Sequence, residues 1–269
     1  MKRISSDKTK EYILNILVVF RDLCDKYALP YSLVGGTLLG AIRHQGFIPW
    51  DDDVDVAMDR PTFNKMIKIF SQENVLPPYL RIEGASLGNS IYPFVKIVDT
   101  RTKVIEKTSD EEIGLWIDIF PVDGLPDDTS KIKKLYKKAS LLHSMISLIP
   151  SNTKGSSKIK MLIKPPIKYI CKNIIGSNNI NKWCNKLCNQ YSYEDSNTVG
   201  CIIWGRALEK EAMPKTLFED KIDVIFEGEK FKGFKNYDFY LKNLYGDYMQ
   251  IPPVEEREQH LQKVYVSKN

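Results

Sequence analysis

The chain has 269 residues, 43% of them hydrophobic, with 39 Lys and Arg against 34 Asp and Glu and a formal net charge of +5. That length and apolar content are ordinary for a packed core and predict one large domain, or a domain carrying a substantial insertion, that folds on its own. Five Cys, odd in number and without a Cys-x-x-Cys pair, argue against a disulfide framework and for reduced thiols in the cytoplasm; Cys184 and Cys188 lack the nearby His partners that a zinc site would need.

The first apolar stretch, Ile13 to Phe20, has the look of a signal peptide, but Asn15 interrupts it, Arg21-Asp22 follows, and no small-residue cleavage site appears. Ile13, Leu17, Phe20, Cys24 and Tyr27 recur instead at helical spacing. They predict an amphipathic helix from about Lys8 to Ala28, capped by Ser6 or Asp7. No stretch approaches the length of a transmembrane span.

Between Leu33 and Met58 an apolar run ends in Gly35-Gly36, a helix is expected from Thr37, and Asp53 and Asp55 follow with Val54 and Val56 between and beside them. In an extended strand the two Asp side chains share one face while the valines pack behind. Two carboxylates that close repel unless a cation lies between them. Oxygen ligands without Cys or an adjacent His favour Mg²⁺ or Mn²⁺, which typically joins carboxylates to substrate phosphates. Gly35 and Gly36 let backbone approach a phosphate closely, and Thr37 opens a helix whose N-terminus favours an anion. Asp51, Asp53 and Asp55 also match the first ligands of an EF-hand, but Val56 stands where its turn needs Gly and Thr62 where it needs Glu.

Downstream, Pro61 opens a helix with Phe63, Met66, Ile67 and Phe70 on one face, closing before Pro77-Pro78. Short strand-like runs follow at Leu80 to Glu83, Tyr92 to Asp99, Lys103 to Glu106 and Leu115 to Phe120, predicting an α+β fold with a mixed sheet and flanking helices. Alternation sets Asp118 among apolar neighbours; a buried carboxylate requires a partner or a metal, so Asp118 is the natural third ligand beside Asp53 and Asp55. Lys96 is within reach of a phosphate, although a strand Lys is commonly a solvated edge residue.

Residues 129–193 contain thirteen Lys and no Arg, Asp or Glu, so this stretch contributes +13 and the remainder of the chain −8. Leu and Ile interleave with the lysines around a Ser-Asn-Thr-Lys-Gly-Ser-Ser-Lys linker. This is the composition of a helical insertion that favours an anionic membrane surface; a solvated helical face and a nucleic-acid contact are the competing readings, the last weakened by the absence of Arg. Val224 to Phe226 and Lys230 to Gly233 read as a hairpin, and a helix from Tyr237 to Tyr245 leads to Arg257 and His260, about one turn apart.

The order strand, Gly-Gly, helix, Asp-x-Asp strand resembles the nucleotidyltransferase superfamily of DNA polymerase beta type. The fuller strings Gly35 to His44 and Gly46 to Asp55 resemble its LicD branch, the phosphocholine transferases related to fukutin-related proteins. Trp116-Ile-Asp-Ile-Phe-Pro-Val-Asp-Gly124 is similar to the family's second block, and Leu244 to Met249, Pro252-Pro253, Arg257 and His260 to its C-terminal block. The resemblance implies a catalytic core over 1–128, the basic helical insertion over 129–193, and a segment over 194–269 that completes the core. It implies metal-dependent transfer of phosphocholine from CDP-choline to a hydroxyl of a surface glycan or its lipid-linked precursor, with release of CMP, at the inner face of the cytoplasmic membrane. Asp53, Asp55 and Asp118 would be catalytic and hold the metal. Gly35, Gly36, Thr37, Arg43, His44, Lys96, Arg257 and His260 would contact substrate. Transfer of another CDP-linked alcohol phosphate, such as ribitol or glycerol phosphate, and an inert fold that binds nucleic acid are the alternatives.

Overall fold

The computed structural model describes residues 1–72, 75–106, 109, 112–152, 157–205, 207–257 and 261–267. A short strand β1 (Lys2–Arg3) precedes helix α1 (Ser6–Lys26). Ser5, rather than Ser6 or Asp7, caps this helix, accepting the Lys8 N–H at 3.3 Å; Ser5 is the last residue with extended backbone, so its hydroxyl is the one that faces the open amides. Ile13, Ile16, Leu17, Phe20 and Cys24 are buried along the inner stripe, as the spacing predicts, and each large side chain so buried contributes about 1.5–3 kcal/mol.

Strand β2 (Ser32–Leu33) runs directly into α2 (Gly35–His44), which therefore begins two residues before the expected Thr37. Strand β3 (Asp55–Asp59) ends in Asp59, whose carboxylate accepts the Thr62 N–H at 2.8 Å and so caps α3 (Arg60–Phe70), with Pro61 in the first turn. Strand β4 (Leu80–Gly84) follows the predicted run. The two runs expected at 92–99 and 103–106 form one strand, β5 (Val95–Glu106), with a register shift between Asp99 and Val104. Gly114 permits that irregularity, because a Cβ there would stand 2.1 Å from the Asp99 carbonyl oxygen. Strand β6 (Ile113–Leu125) extends well beyond the predicted Phe120.

Helices α4 (Thr129–Leu148), α5 (Lys158–Tyr169) and α6 (Ser177–Cys188) make up the Lys-rich segment, a π-helix at Ile170–Ile175 joining the last two. The chain returns through β7 (Thr198–Gly200), β8 (Met213–Pro214) and α7 (Lys215–Glu219) to the predicted hairpin, β9 (Lys221–Phe226) and β10 (Glu229–Phe234), and to α8 (Tyr237–Tyr245). A final strand, β11 (Leu261–Val266), is not foreseen from the sequence.

The main sheet has the order β1-β11-β5-β6-β3-β2, with β4 also paired to β5 and β7 to β6; β3 and β6 are parallel and the other pairs antiparallel. This is the mixed α+β sheet with flanking helices that the periodicity implies. One apolar core joins α1, α3 and the sheet, and a second joins α4 and α6 to Leu125, Ile202 and Ile203. Tyr92 and Trp204 pack against both, so the Lys-rich segment leans on the same aromatic residues that border the site described next.

Candidate active site

The parallel pairing of β3 with β6 sets Asp55 directly opposite Asp118, and residues in register on adjacent strands face the same side. Three backbone hydrogen bonds weld this junction to the start of α2: Val34 N–H to Asp55 O at 3.1 Å, Asp118 N–H to Val54 O at 2.9 Å, and Leu38 N–H to Val34 O at 3.1 Å. The Thr37 hydroxyl accepts the Asp55 N–H at 2.8 Å, so Thr37 orients a carboxylate-bearing residue. Asp53 lies just before the strand rather than within it.

Gly35, Gly36, Asp51, Asp53, Asp55 and Asp118 line one cavity of about 430 Å³. The glycines leave room for the acids. A Cβ on Gly36 would lie 2.7 Å from Asp51 Oδ2 and one on Gly35 3.5 Å from Asp55 Oδ2, and Gly35 holds φ of +56°. Gly35 N–H donates to the Tyr240 hydroxyl at 3.1 Å; the next amides of the first turn lack intrahelical acceptors and can serve an anion.

The acids crowd one another. Burial, then the charge and hydrogen bond of Asp53, then Asp52, push the Asp51 carboxyl up to about 8. Asp118 is also raised, by burial, against the Lys96 ammonium and the Trp116 indole. Lys96 Nζ lies 2.8 Å from Asp118 Oδ1, and Trp116 Nε1–H donates to Oδ2 at 3.1 Å. Lys96 is buried at 6% exposure, because β5 is interior to the sheet, and its ammonium sits 4.1, 5.1 and 5.3 Å from the ring centroids of Trp116, Tyr92 and Phe94. It is a structural partner of Asp118, outside the cavity lining, not a solvated edge residue.

Arg43, His44 and Arg257 also stand outside the lining. Arg43 donates to the carbonyls of Tyr248 and Gln250, at 2.6 and 3.2 Å, and so ties α2 to the loop after α8. The His44 ring meets Trp50 edge-on at 6.3 Å and the Arg257 guanidinium lies 4.3 Å from the Trp50 centroid; Trp50 itself lines the cavity. His260 lies outside the described residues.

Trp204, Tyr240 and Glu211, not singled out from the sequence, also line the cavity, as does Tyr245. Glu211 accepts the Ala207 N–H at 3.3 Å and packs over Gly205, where a Cβ would come within 2.5 Å of its Cγ. Burial pushes its carboxyl up to about 7. Burial first, then the charges of Asp55, Glu211, Asp51 and Asp53, raise the Tyr245 phenol so that it stays protonated and able to donate a hydrogen bond. Among the described residues the lining holds five carboxylates and no Lys, Arg or His. Nothing near Glu211 in the sequence forms a pattern, whereas Tyr245 lies in the block from Leu244 to Met249.

Among the described residues no three of His, Cys, Asp and Glu converge closely enough to form a ready-made metal cage. The donor chemistry nonetheless fits a hard divalent cation at Asp53 and Asp55: oxygen ligands crowded beside Asp51, whose carboxyl is raised first by burial and then by the charge of Asp53, and bordered by glycines that yield space. Asp118 joins such a cation only by sharing an oxygen now held by Lys96 or Trp116.

A family model described as LicD/FKTN/FKRP, nucleotidyltransferase domain, matches residues 28–139. The lipopolysaccharide cholinephosphotransferase LicD of Haemophilus influenzae is 32% identical over 275 aligned positions, which cover 99% of this chain and 100% of that protein. An uncharacterized protein of Rickettsia typhi, RT0683, is 27% identical over 132 residues, covering 49% of this chain and 41% of that protein.

Proposed function

Because this chain belongs to the LicD/FKTN/FKRP family, we propose that it transfers phosphocholine from CDP-choline to a hydroxyl of lipopolysaccharide or a related surface glycan, on a catalytic domain of nucleotidyltransferase type. The observation that carries this reading is the convergence of Gly35-Gly36, Asp53, Asp55 and Asp118 on one cavity. A cavity rich in carboxylates and aromatic rings, Trp50, Phe120, Trp204 and Tyr245 among them, suits a quaternary ammonium better than an uncharged polyol. That favours choline over ribitol or glycerol.

Mg²⁺ or Mn²⁺ held by Asp53 and Asp55, with Asp118 beside them, would supply neutralisation of the donor diphosphate. The first-turn amides of α2 bind a phosphate oxygen, and Thr37 keeps Asp55 in position. In the reaction the acceptor oxygen bonds to the phosphorus bearing choline, the bond from that phosphorus to CMP breaks, and the CMP oxygen leaves with the electron pair. The hydroxyl proton passes to a cavity carboxylate. Glu211 suits this task better than Asp118, since its carboxyl titrates at about 7 and both Asp118 oxygens already accept hydrogen bonds.

The rate of CMP release is therefore expected to rise with pH through about 7 and then level off, and Glu211→Gln is expected to lower kcat and abolish that limb. Stability carries its own sign. Glu211 binds its proton more tightly folded than unfolded, so between the ordinary 4.5 and about 7 the wild type loses stability as pH rises, and the Gln variant lacks that slope. An unchanged pH profile of activity in the variant removes Glu211 from the proton step.

The direct test measures CMP release from a panel of CDP-choline, CDP-ribitol and CDP-glycerol with Mg²⁺ and glycan acceptors. CDP-choline is expected to be preferred. Preference for a polyol donor overturns the choline assignment, and silence with every donor overturns the transferase reading.

A further inference from the structure

Helix α5 and the π-helical turn after it are inside out. Ile163, Ile167, Ile170 and Ile174 recur at i, i+4, i+7 and i+11, the spacing of a core-facing stripe, yet they are 50%, 45%, 43% and 68% exposed, and Leu162 beside them is 81% exposed. The side turned toward the protein is the polar one: Lys164 and Lys168 are half-buried and donate through Nζ to the carbonyls of Asn152 and Ser151. Cys171 is buried with them. A soluble helix normally buries its apolar stripe and hydrates its lysines. This one does the reverse, and leaves a contiguous aliphatic surface larger than scattered exposed residues provide.

What covers that surface is indicated by charge. Across 129–193 the chain has thirteen Lys and no acidic residue, and Lys133, Lys137, Lys172, Lys182 and Lys186 are exposed on α4, the π-helical turn and α6. Aliphatic side chains to enter an acyl layer and ammonium groups for anionic headgroups are the two components of interfacial binding. Among the described residues no helix is long and apolar enough to cross a membrane, so the contact is one of lying on the surface.

We infer that the exposed face of α5 and its π-helical extension docks the protein onto an anionic lipid bilayer, with Leu162, Ile163, Ile167, Ile170 and Ile174 inserted at the headgroup boundary. This goes beyond the transfer reaction and stands independently of it. From the sequence, the composition of 129–193 as a whole favours an anionic membrane surface over a solvated face or a nucleic-acid contact. The structure points to the face of α5 and its extension, since α4 and α6 bury most of their apolar residues in the second core and leave Leu141 and Trp183 as their exposed ones.

The test is co-sedimentation of the full chain with phosphatidylcholine vesicles containing or lacking phosphatidylglycerol. Wild type is expected to bind the anionic vesicles, less so as salt rises, and to bind the neutral ones weakly. Leu162→Ser/Ile167→Ser/Ile174→Ser, all at exposed positions, is expected to weaken binding at least about tenfold with unchanged circular dichroism. Should the triple variant misfold, Ile174→Ser alone serves, with a smaller loss. Equal binding by folded variant and wild type overturns the proposal, as does absence of wild-type binding. So does a wild-type dimer in sedimentation velocity that the triple variant dissolves without any vesicle binding, which would assign the face to a second copy of the chain.

Discussion

Asp53→Ala is expected to reduce CMP release from CDP-choline by roughly 10³-fold or more, about 4 kcal/mol of transition-state stabilisation, while the protein becomes no less stable. Both parts follow from the same crowding. Asp53 is the first neighbouring charge that holds a proton on Asp51, so the folded state bears an electrostatic cost that the alanine variant relieves. A residue retained at such a cost is what a cation and a diphosphate would require. Activity in the variant and the thermal midpoint, measured side by side, decide the matter. Wild-type turnover would remove Asp53 from the reaction, and a large loss of stability would recast it as a structural residue.

Lys96→Met is expected to destabilise the fold by about 3–5 kcal/mol, because Asp118 would remain buried without its counter-charge. The pair is not at the surface: the side chains are 7% and 14% exposed, and three aromatic rings surround the ammonium. Lys96→Met/Asp118→Asn is expected to recover most of that stability, since the double replacement leaves no unpaired charge, but to recover no activity. Denaturant unfolding of the single and double variants measures the coupling. If Lys96 instead served only to contact a donor phosphate, the single substitution would raise KM and leave the unfolding free energy unchanged.

Legibility in the sequence follows the range of the interactions involved. Helix α3 is announced by Pro61 and the stripe Phe63, Met66, Ile67, Phe70, all of which act within one or two turns. The hairpin of β9 and β10 is likewise local. Strand β11 is different: it is held by pairing with β5 more than 150 positions earlier in the chain and by β1 at the start, and nothing in its immediate neighbours signals either partner. Strand β5 reads as two pieces because its register shifts between Asp99 and Val104, and pairing with β6 and β11 carries it across that irregularity.

By itself the sequence determined the local form of the segments that bring Gly35-Gly36, Asp55 and Asp118 to the cavity, because those segments are short and their period and turn residues dictate their shape. Sheet order, by contrast, decided which of the other candidates line the cavity. It buried Lys96 against Asp118, turned Arg43 and Arg257 to bracing a loop and Trp50, and brought Glu211 and Trp204 to the cavity. It also decided that α5 presents isoleucines outward and lysines inward. A periodic pattern states that a helix has two faces, but which face is covered depends on what packs against it, and that is a property of the assembled chain alone.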